Sequence, residues 1–282
     1  MFTPRDIVVY IDSTEPQDCR PQIDYAVGLA SSWDAKVIIA FAPEDLSNSP
    51  HNSFARGAAL RHMLSDFADR KRKAEEQLRE IVAEIAAQTG IDCELRICSG
   101  ETGEALMLHA RHAALAIIGA QSASGVDGTN LTAAVDVIFA SGRPTILVPT
   151  GQENPLPLPR TIVIGWNASR EAARAIADAM PFLTAADSVH VVVVPEPKIN
   201  RLLGEDPGTD ISRHLARNGI AVELHRLDAP DAGEALLAKA AELKADMIVV
   251  GAYGQPRITE FVFGSATKTL LSDPDRLVFL SR

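Results

Sequence analysis

The chain has 282 residues, of which 46% are hydrophobic and 23% are charged, and its formal net charge is −10 with a pI near 5.2. This is the composition of a globular protein of about two domains, each large enough to bury a core. Because the chain is acidic, we expect neither nucleic acid nor an anionic membrane surface among its partners.

The apolar runs and the cysteines bear on the compartment in which the protein works. The first apolar run, residues 7–11, is too short for a signal peptide, and acid and proline follow it. No run reaches the roughly 18 uninterrupted apolar residues of a membrane helix. The three cysteines, Cys19, Cys93 and Cys98, are odd in number and fit no metal or redox spacing. We therefore expect free thiols and a cytoplasmic location.

The sequence repeats itself in two halves, and five short segments recur in the same order. A proline-rich stretch, residues 151–159, separates the copies and is typical of a linker. We therefore predict a first domain at residues 1–150 and a second at residues 160–282. The five matching pairs are residues 6–13 with 161–168, 37–44 with 189–196, 103–106 with 233–236, 115–120 with 247–252, and 145–148 with 277–280.

Within each half, short runs rich in valine and isoleucine alternate with helical patterns. This alternation predicts βαβ units, with a parallel sheet and helices on both of its faces. Ser169 stands at the N-cap position of one helical pattern. The predicted helices cover residues 21–33, 52–89, 103–113 and 132–141 in the first half, and 170–183, 209–218, 231–244 and 265–272 in the second.

The segment at residues 52–89 predicts one long amphipathic helix. Its charged run, residues 69–76, places basic residues before acids at helical spacing, which is typical of a solvated, self-paired face rather than a nucleic-acid patch. The equivalent part of the second half, residues 198–218, is shorter and interrupted by glycine and proline, so we expect a loop and a short helix. The apolar residues expected on or near the packed side of the long helix are Phe54, Leu60, Met63, Leu64, Phe67, Leu78, Ile81 and Ile85.

A glycine motif follows the fourth predicted strand of the second half. It reads Gly251-x2-Gly254-x9-Gly264-Ser265, and a helical pattern begins at its end. Glycines let a backbone approach a ligand closely, and the free N–H groups of a helix start favour an anion. Arg257 adds a fork of charged donors. The motif predicts a phosphate site; the alternative is an ordinary tight turn after a strand.

This spacing resembles the nucleotide-binding motif of the universal stress protein family, and the resemblance covers nearly the whole chain as two copies. It implies an α/β fold of the adenine nucleotide alpha hydrolase-like type, with two tandem open parallel five-stranded sheets of strand order 3-2-1-4-5. In such a sheet ligands bind beyond the carboxyl ends of the strands, where the strand order reverses. The ends of strands one and four of the second half, residues 166–168 and 251–254, border that crevice.

The resemblance also implies a role for each motif residue. Asn167 stands where family members that bind ATP or AMP carry an aspartate that contacts the adenosine, and an amide brings no charge to that contact. The alternative for Asn167 is a turn or N-cap residue. Val194 corresponds to the backbone position that holds the adenine. The residues implied to hold the phosphates are Gly251, Gly254, Arg257, Gly264, Ser265, Ala266 and Thr267.

The first half keeps Asp12 but departs from the rest of the motif. Gly119 is followed by Ala120, so the second glycine is absent, and Asp127 would repel a phosphate. We therefore expect no nucleotide in the first half and a structural role for it. Domains of the family pair through their last strands, which implies that residues 145–148 lie near residues 277–280 and cover each other's edge.

The sequence contains little that predicts catalysis or a metal site. Lys268 and Thr269 resemble the end of a phosphate-binding P-loop, but the glycine before the lysine is absent. His109 and His112 lie three apart on a predicted helix with no third ligand, which is typical of a surface or interface. His190 has no evident acidic partner. We therefore assign no catalytic residue and no metal ligand.

Three hypotheses for the function follow from these features. The first is a regulatory stress-response protein that binds ATP or AMP in its second half, with Mg²⁺ able to accompany the phosphates. Nucleotide would order residues 255–263, and a partner or a second copy of the chain would bind the ordered surface. The second is a scaffold that binds no nucleotide and acts through its long charged helix. The third is a slow ATP hydrolase.

Overall fold

The structure is a computed structural model that describes residues 3–43, 58–98, 102–120, 137–149, 157–194, 207–252, 254–257, 260–263, 270–271 and 274–282. Its strands in the first half are β1 (Asp6–Ile11), β2 (Lys36–Phe41), β3 (Cys93–Ile97), β4 (Leu115–Gly119) and β5 (Thr145–Val148). Those in the second half are β6 (Thr161–Gly165), β7 (Ser188–Val193), β8 (Val222–Arg226), β9 (Met247–Gly251), β10 (Gly254–Arg257), β11 (Glu260–Phe263) and β12 (Leu277–Ser281).

The helices follow the predicted alternation with the strands. A short 3-10 helix, Pro16–Cys19, leads into the first α-helix. Residues 137–140 and 270–271 are helical as well, within the predicted fourth helix of each half. The α-helices are α1 (Arg20–Trp33), α2 (Ala58–Thr89), α3 (Thr102–Arg111), α4 (Arg170–Leu183), α5 (Pro207–Arg217) and α6 (Ala232–Glu242).

Ten of the described strands form a single sheet in the order β3-β2-β1-β4-β5-β12-β9-β6-β7-β8. Each half contributes five parallel strands in the order 3-2-1-4-5, which confirms the predicted fold class and strand order. The two five-stranded sheets are joined into one because β12 pairs with β5 in antiparallel orientation, with Phe279 opposite Ile146. This confirms the expected pairing of the last strands, which hides the inner edge of each half.

Both faces of the joined sheet carry a buried apolar layer that runs through the two halves. On one face Trp33 of α1, Phe182 of α4 and Phe279 of β12 meet at the joint, with ring centroids 4.9 Å and 5.8 Å apart in edge-to-face geometry. The other face includes Leu147 of β5 and Val278 of β12, which are paired neighbours. The halves therefore share one core instead of burying two separate ones.

The predicted packing of the long helix is only partly confirmed. Leu78, Ile81 and Ile85 are buried, but Met63 and Leu64 are 38% and 37% exposed, so their expected place on the packed side is wrong. The reason is length, since α2 has 32 residues and spans about 48 Å, whereas its neighbour β3 has only five. The sheet supports the second part of α2 alone. Phe54 lies outside the described residues.

No helix within the described ranges is long and apolar enough to cross a membrane. The cysteines agree with the prediction of free thiols: Cys19, Cys93 and Cys98 form no disulfide. Burial raises the pKa of the Cys19 thiol to about 12 and that of Cys93 to about 11. Because the thiolate is the reactive form, these two side chains are poor nucleophiles at neutral pH.

Strands β2 and β3 carry a cluster of charged side chains, and we expect it to make the stability of the fold sensitive to acid. Glu94 accepts from Arg96 at 2.8 Å and pairs with Lys36 at 2.9 Å, and these hydrogen bonds lower its pKa from 4.5 to about 2. The cluster therefore stabilises the fold above about pH 4.5, and this contribution is lost as the pH falls towards about 2. Since the Glu94 side chain is 38% exposed, we expect Glu94→Gln to cost about 1 kcal/mol at pH 7.

Urea denaturation across this pH range measures the effect. Glu94→Gln should flatten the loss of stability between pH 4.5 and 2, whereas Glu80→Gln, at an exposed position of α2, should keep the wild-type slope. An unchanged slope in Glu94→Gln would contradict the assignment.

Candidate functional site

The strand order of the second half reverses between β6 and β9, and the predicted site lies where these two strands end. Ile164 pairs with Val249, so both strands reach the same edge of the sheet at Gly165 and Gly251. The Trp166 N–H donates to Val192 O at 2.9 Å, which holds the chain to β7 for one residue beyond β6. The chain then leaves the sheet; in parallel α/β sheets, ligands bind in the crevice beside such a reversal of strand order.

A tight turn connects β6 to helix α4 at this edge. Asn167 is exposed, and its Oδ1 accepts from the Ser169 N–H at 3.1 Å. Ala168 takes a φ of 56°. Ser169 Oγ in turn accepts from the Ala172 N–H at 3.1 Å, which confirms the predicted N-cap. One oxygen of Asn167 thus supports the turn, as the alternative interpretation of this residue proposed.

The first glycine of the motif has a packing role. A Cβ atom on Gly251 would lie 2.4 Å from the backbone N of Ala172 and 2.4 Å from the backbone C of Glu171. No such contact is tolerated between real atoms, so β9 can approach the first turn of α4 only because residue 251 is glycine. The backbone at Gly251 therefore closely approaches helix α4 of the same half.

The start of α4 already carries a negative charge. Burial would raise the pKa of Glu171, but hydrogen bonding to Arg170 at 2.7 Å and the charges of Arg170 and Arg282 hold it below its ordinary value. The ionised Glu171 lies in the first turn of α4, where it complements the helix dipole. A phosphate is therefore not favoured at the start of α4.

The structure brings together some of the predicted nucleotide-binding residues. Asn167, Val194 and Gly251 lie at the carboxyl ends of β6, β7 and β9, since Gly165 pairs with Val192 and the two chains leave the sheet at the same level. Val194 is half-buried. Gly254 and Arg257 begin and end β10. The remaining predicted residues, Gly264, Ser265, Ala266 and Thr267, lie outside the described residues.

The segment expected to be a loop, residues 255–263, is instead largely a β-hairpin. Strand β10 pairs with β11 in antiparallel orientation, with Gly254 opposite Phe263 and Arg257 opposite Glu260. Phenylalanine and valine in β11 favour an extended backbone, which gives the physical reason for the correction. Arg257 is therefore placed at the tip of a hairpin that leaves the sheet edge directly after β9.

The corresponding crevice of the first half is filled by a side chain. Gln22 of α1 is 4% exposed, and its Nε2 donates to Tyr10 O at 2.7 Å. A Cβ atom on Gly119 would meet Gln22 Oε1 at 2.2 Å, so the amide lies directly against the end of β4. The equivalent helix position in the second half is Ala172, which is buried and whose backbone lies against Gly251. The role of Gln22 is not predictable from the sequence, because its contacts depend on the tertiary fold.

A polar cluster on β7 and β8 is the second feature absent from the predictions above. His190, for which no acidic partner was expected, lies 3.1 Å from His225 and 3.4 Å from Glu223. Among the residues that the structure describes, these three alone group potential metal ligands closely. His112, by contrast, places its Nδ1 3.0 Å from Leu108 O. Alternating positions on two neighbouring strands were the sequence signal for this cluster.

Comparisons with known proteins agree with this fold. Residues 159–275 match the family described as the universal stress protein family. A universal stress protein from Archaeoglobus fulgidus aligns over 100% of this chain and 99% of its own, with a TM-score of 0.70 and 16% identity. A functionally unknown protein and a putative universal stress protein, both from Pseudomonas aeruginosa, each align over 99% of this chain and over 92% and 93% of their own, with TM-scores of 0.60 and 0.55 and identities of 14% and 15%.

The search of curated proteins finds no match. At these identities the solved structures establish the shared fold, whereas the family match rests on sequence and spans the whole motif from Gly251 to Ser265. Over residues 159–275 the chain is therefore similar to the universal stress protein family.

Proposed function

We propose that the second half binds an adenine nucleotide, ATP or AMP, and that binding makes the chain a ligand-dependent regulator of a stress response in the cytoplasm. The observation that carries this proposal is the position of the motif, which leaves β9 at the strand-order reversal beside β6. Parallel α/β sheets bind their ligands at this point.

The proposed contacts follow the order of the strand ends. Asn167 and the backbone of Val194 lie on the side of β6 and β7, where they would hold the adenosine. Arg257, at the tip of the β10–β11 hairpin, would reach the phosphates and could share them with Mg²⁺. The phosphate-binding residues proposed for the following helix are Gly264, Ser265, Ala266 and Thr267.

The first half supports the proposal by its contrast with the second. Its crevice holds the buried amide of Gln22, hydrogen-bonded to Tyr10 O, whereas Ala172 at the same position of the second half carries no long side chain. We therefore propose one nucleotide for each chain, with the first half as a structural partner. The proposal also includes a homodimer, in which a second copy of the chain binds the surface of the β10–β11 hairpin.

Native mass spectrometry of the freshly purified protein tests the proposal. One adenine nucleotide per chain is the expected mass difference, and chromatography of a heat-denatured extract would identify its phosphate count. Titration with ATP and AMP should raise the melting temperature, because a ligand that binds only the native state stabilises it. Protein without co-purified nucleotide and without a thermal shift would overturn the proposal. Incubation of the protein with ATP, followed by chromatography of the products, measures any slow hydrolysis.

We expect substitution of Asn167 to change the affinity for nucleotide. Asn167→Asp keeps an oxygen for the Ser169 N–H and adds the charge that the family aspartate supplies, so we expect nucleotide to bind about tenfold more tightly. Asn167→Ala removes the turn acceptor and should both weaken binding and lower stability by about 1 kcal/mol. Isothermal titration of the three proteins measures this order. Equal affinities in all three would exclude Asn167 from the site.

A second candidate function is an interaction protein that acts through α2 and binds no nucleotide. The observation that favours it is the exposure of Met63 and Leu64 on the part of α2 that extends past the sheet. The same nucleotide titration separates the two functions, since this candidate requires that ATP and AMP leave the melting temperature unchanged. It also requires that the double substitution Met63→Ser with Leu64→Ser alter partner binding.

A further inference from the structure

Three potential metal ligands face one another on the two outer strands of the second half. His190 of β7 pairs in register with Glu223 of β8, and Val192 pairs with His225. Side chains two residues apart on a strand point to the same face of the sheet, so all three ligands share one face. Val192 packs in the same apolar layer as Leu236 of α6, which identifies this face as the one that α6 covers.

The distances between the ligand atoms fit a tetrahedral ion. His190 Nδ1 lies 3.1 Å from His225 Nε2 and 3.4 Å from a Glu223 carboxylate oxygen, and His225 Nε2 lies 3.7 Å from the other oxygen. Two ligands bound at the usual zinc distances of a tetrahedral site are about 3.3–3.6 Å apart. A small shift of the exposed Glu223 side chain would bring all three atoms to these separations.

Burial holds two of the ligands in place and leaves one side open. His190 is 9% exposed and the His225 side chain 15%, whereas the Glu223 side chain is 67% exposed. The imidazoles are therefore fixed between the sheet and α6, and solvent reaches the cluster from the side of Glu223. An ion could enter by this route and keep a water molecule as its fourth ligand.

The charges around the cluster also favour a cation. A carboxylate offers only acceptors, and one imidazole nitrogen can donate to only one of its neighbours in the cluster, so direct hydrogen bonds satisfy only part of it. Lys239 of α6 lies close enough to act on the charge of His190, and it is paired with Glu242 at 2.7 Å. With Lys239 balanced by Glu242, the charge of Glu223 is left to attract an ion.

We propose that His190, Glu223 and His225 form a binding site for a divalent transition metal ion, with Zn²⁺ as the best-fitting ion. Two imidazoles and one carboxylate are a donor set that zinc accepts in tetrahedral sites with an open fourth position. The ion would tie the edge strand β8 to β7. The site lies within the strands on the α6 face, so it is separate from the crevice at the strand ends and does not depend on nucleotide binding.

Metal titration of the full-length, tag-free protein tests this site. After treatment with EDTA, calorimetry with Zn²⁺ should give one site per chain, and Co²⁺ should give the intense visible bands of tetrahedral coordination. Glu223→Gln should weaken Zn²⁺ binding at least tenfold, and His225→Gln about 100-fold. His214→Gln, at an exposed position of α5, is the matched control and should leave the affinity unchanged.

The variants also separate this site from others on the chain. Glu223 is mostly exposed, so Glu223→Gln should keep the wild-type circular dichroism spectrum and report on binding alone. The proposal is overturned if no ion binds with one-to-one stoichiometry, if Glu223→Gln and His225→Gln bind Zn²⁺ as tightly as wild type, or if bound Co²⁺ shows an octahedral spectrum.

Discussion

Replacing Phe182 by alanine is expected to lower the free energy of unfolding by about 3–5 kcal/mol. Phe182 is 1% exposed and lies between Trp33 of the first half and Phe279 of β12, with both contacts edge-to-face. Truncation removes buried apolar surface and leaves a cavity where the two halves meet. The lost stability is therefore expected to come from packing between the two halves, not from packing within either half.

Urea denaturation followed by tryptophan fluorescence measures this effect. The chain has two tryptophans, Trp33 and Trp166, one in each half, so Trp166→Phe leaves a probe beside Phe182. Phe182→Leu, which retains most of the volume, should cost less than about 1.5 kcal/mol and serves as the control. A loss below about 1 kcal/mol for Phe182→Ala would contradict the shared core.

Gly254→Val is expected to abolish nucleotide binding, with a loss of affinity of about 100-fold or more, while the fold remains. Under the proposed function the backbone at Gly254 approaches the phosphates, and a branched side chain would fill that approach. Gly251→Val is a different experiment, because its Cβ would meet the backbone of Glu171 and Ala172 at 2.4 Å. That variant should lose about 3 kcal/mol of stability, and its binding defect would say little about the ligand.

Calorimetry with ATP and AMP, below the melting temperature of each variant, measures the affinities. Gly119→Val supplies the matched control in the first half, where the new side chain meets the amide of Gln22. It should lower stability and leave nucleotide affinity unchanged. Wild-type affinity in Gly254→Val would refute the site, and lost binding in Gly119→Val would mean that the first half contributes to it.

Features set by local sequence were predicted well. Helix α4 begins and ends at the predicted residues, because Ser169 caps it and its apolar spacing is regular. The strand order came from the family resemblance, and the pairing of β5 with β12 followed from it. The described residues bear out the alternation of strands and helices throughout, since buried valine-rich runs have few other stable arrangements.

Features set by distant parts of the chain were not predicted. Met63 and Leu64 have the spacing of a packed face, but the pattern does not show where the sheet under α2 ends. Gln22 is an ordinary polar residue until the fold brings it to Gly119. His190 and His225 are 35 residues apart and meet only through the register of β7 and β8. Periodicity identifies an element, whereas such contacts depend on its neighbours.

The antiparallel joint between β5 and β12 has a consequence for the kinetics of folding. Val278 pairs with Leu147 across most of the second half of the sequence, so closing the joint costs far more chain entropy than forming either half. We expect each half to form first and the joint to close late. Until it closes, β5 and β12 are unpaired edge strands, and β5 of one molecule can pair with β12 of another. Refolding at high protein concentration should therefore yield domain-swapped dimers, and dilution should suppress them.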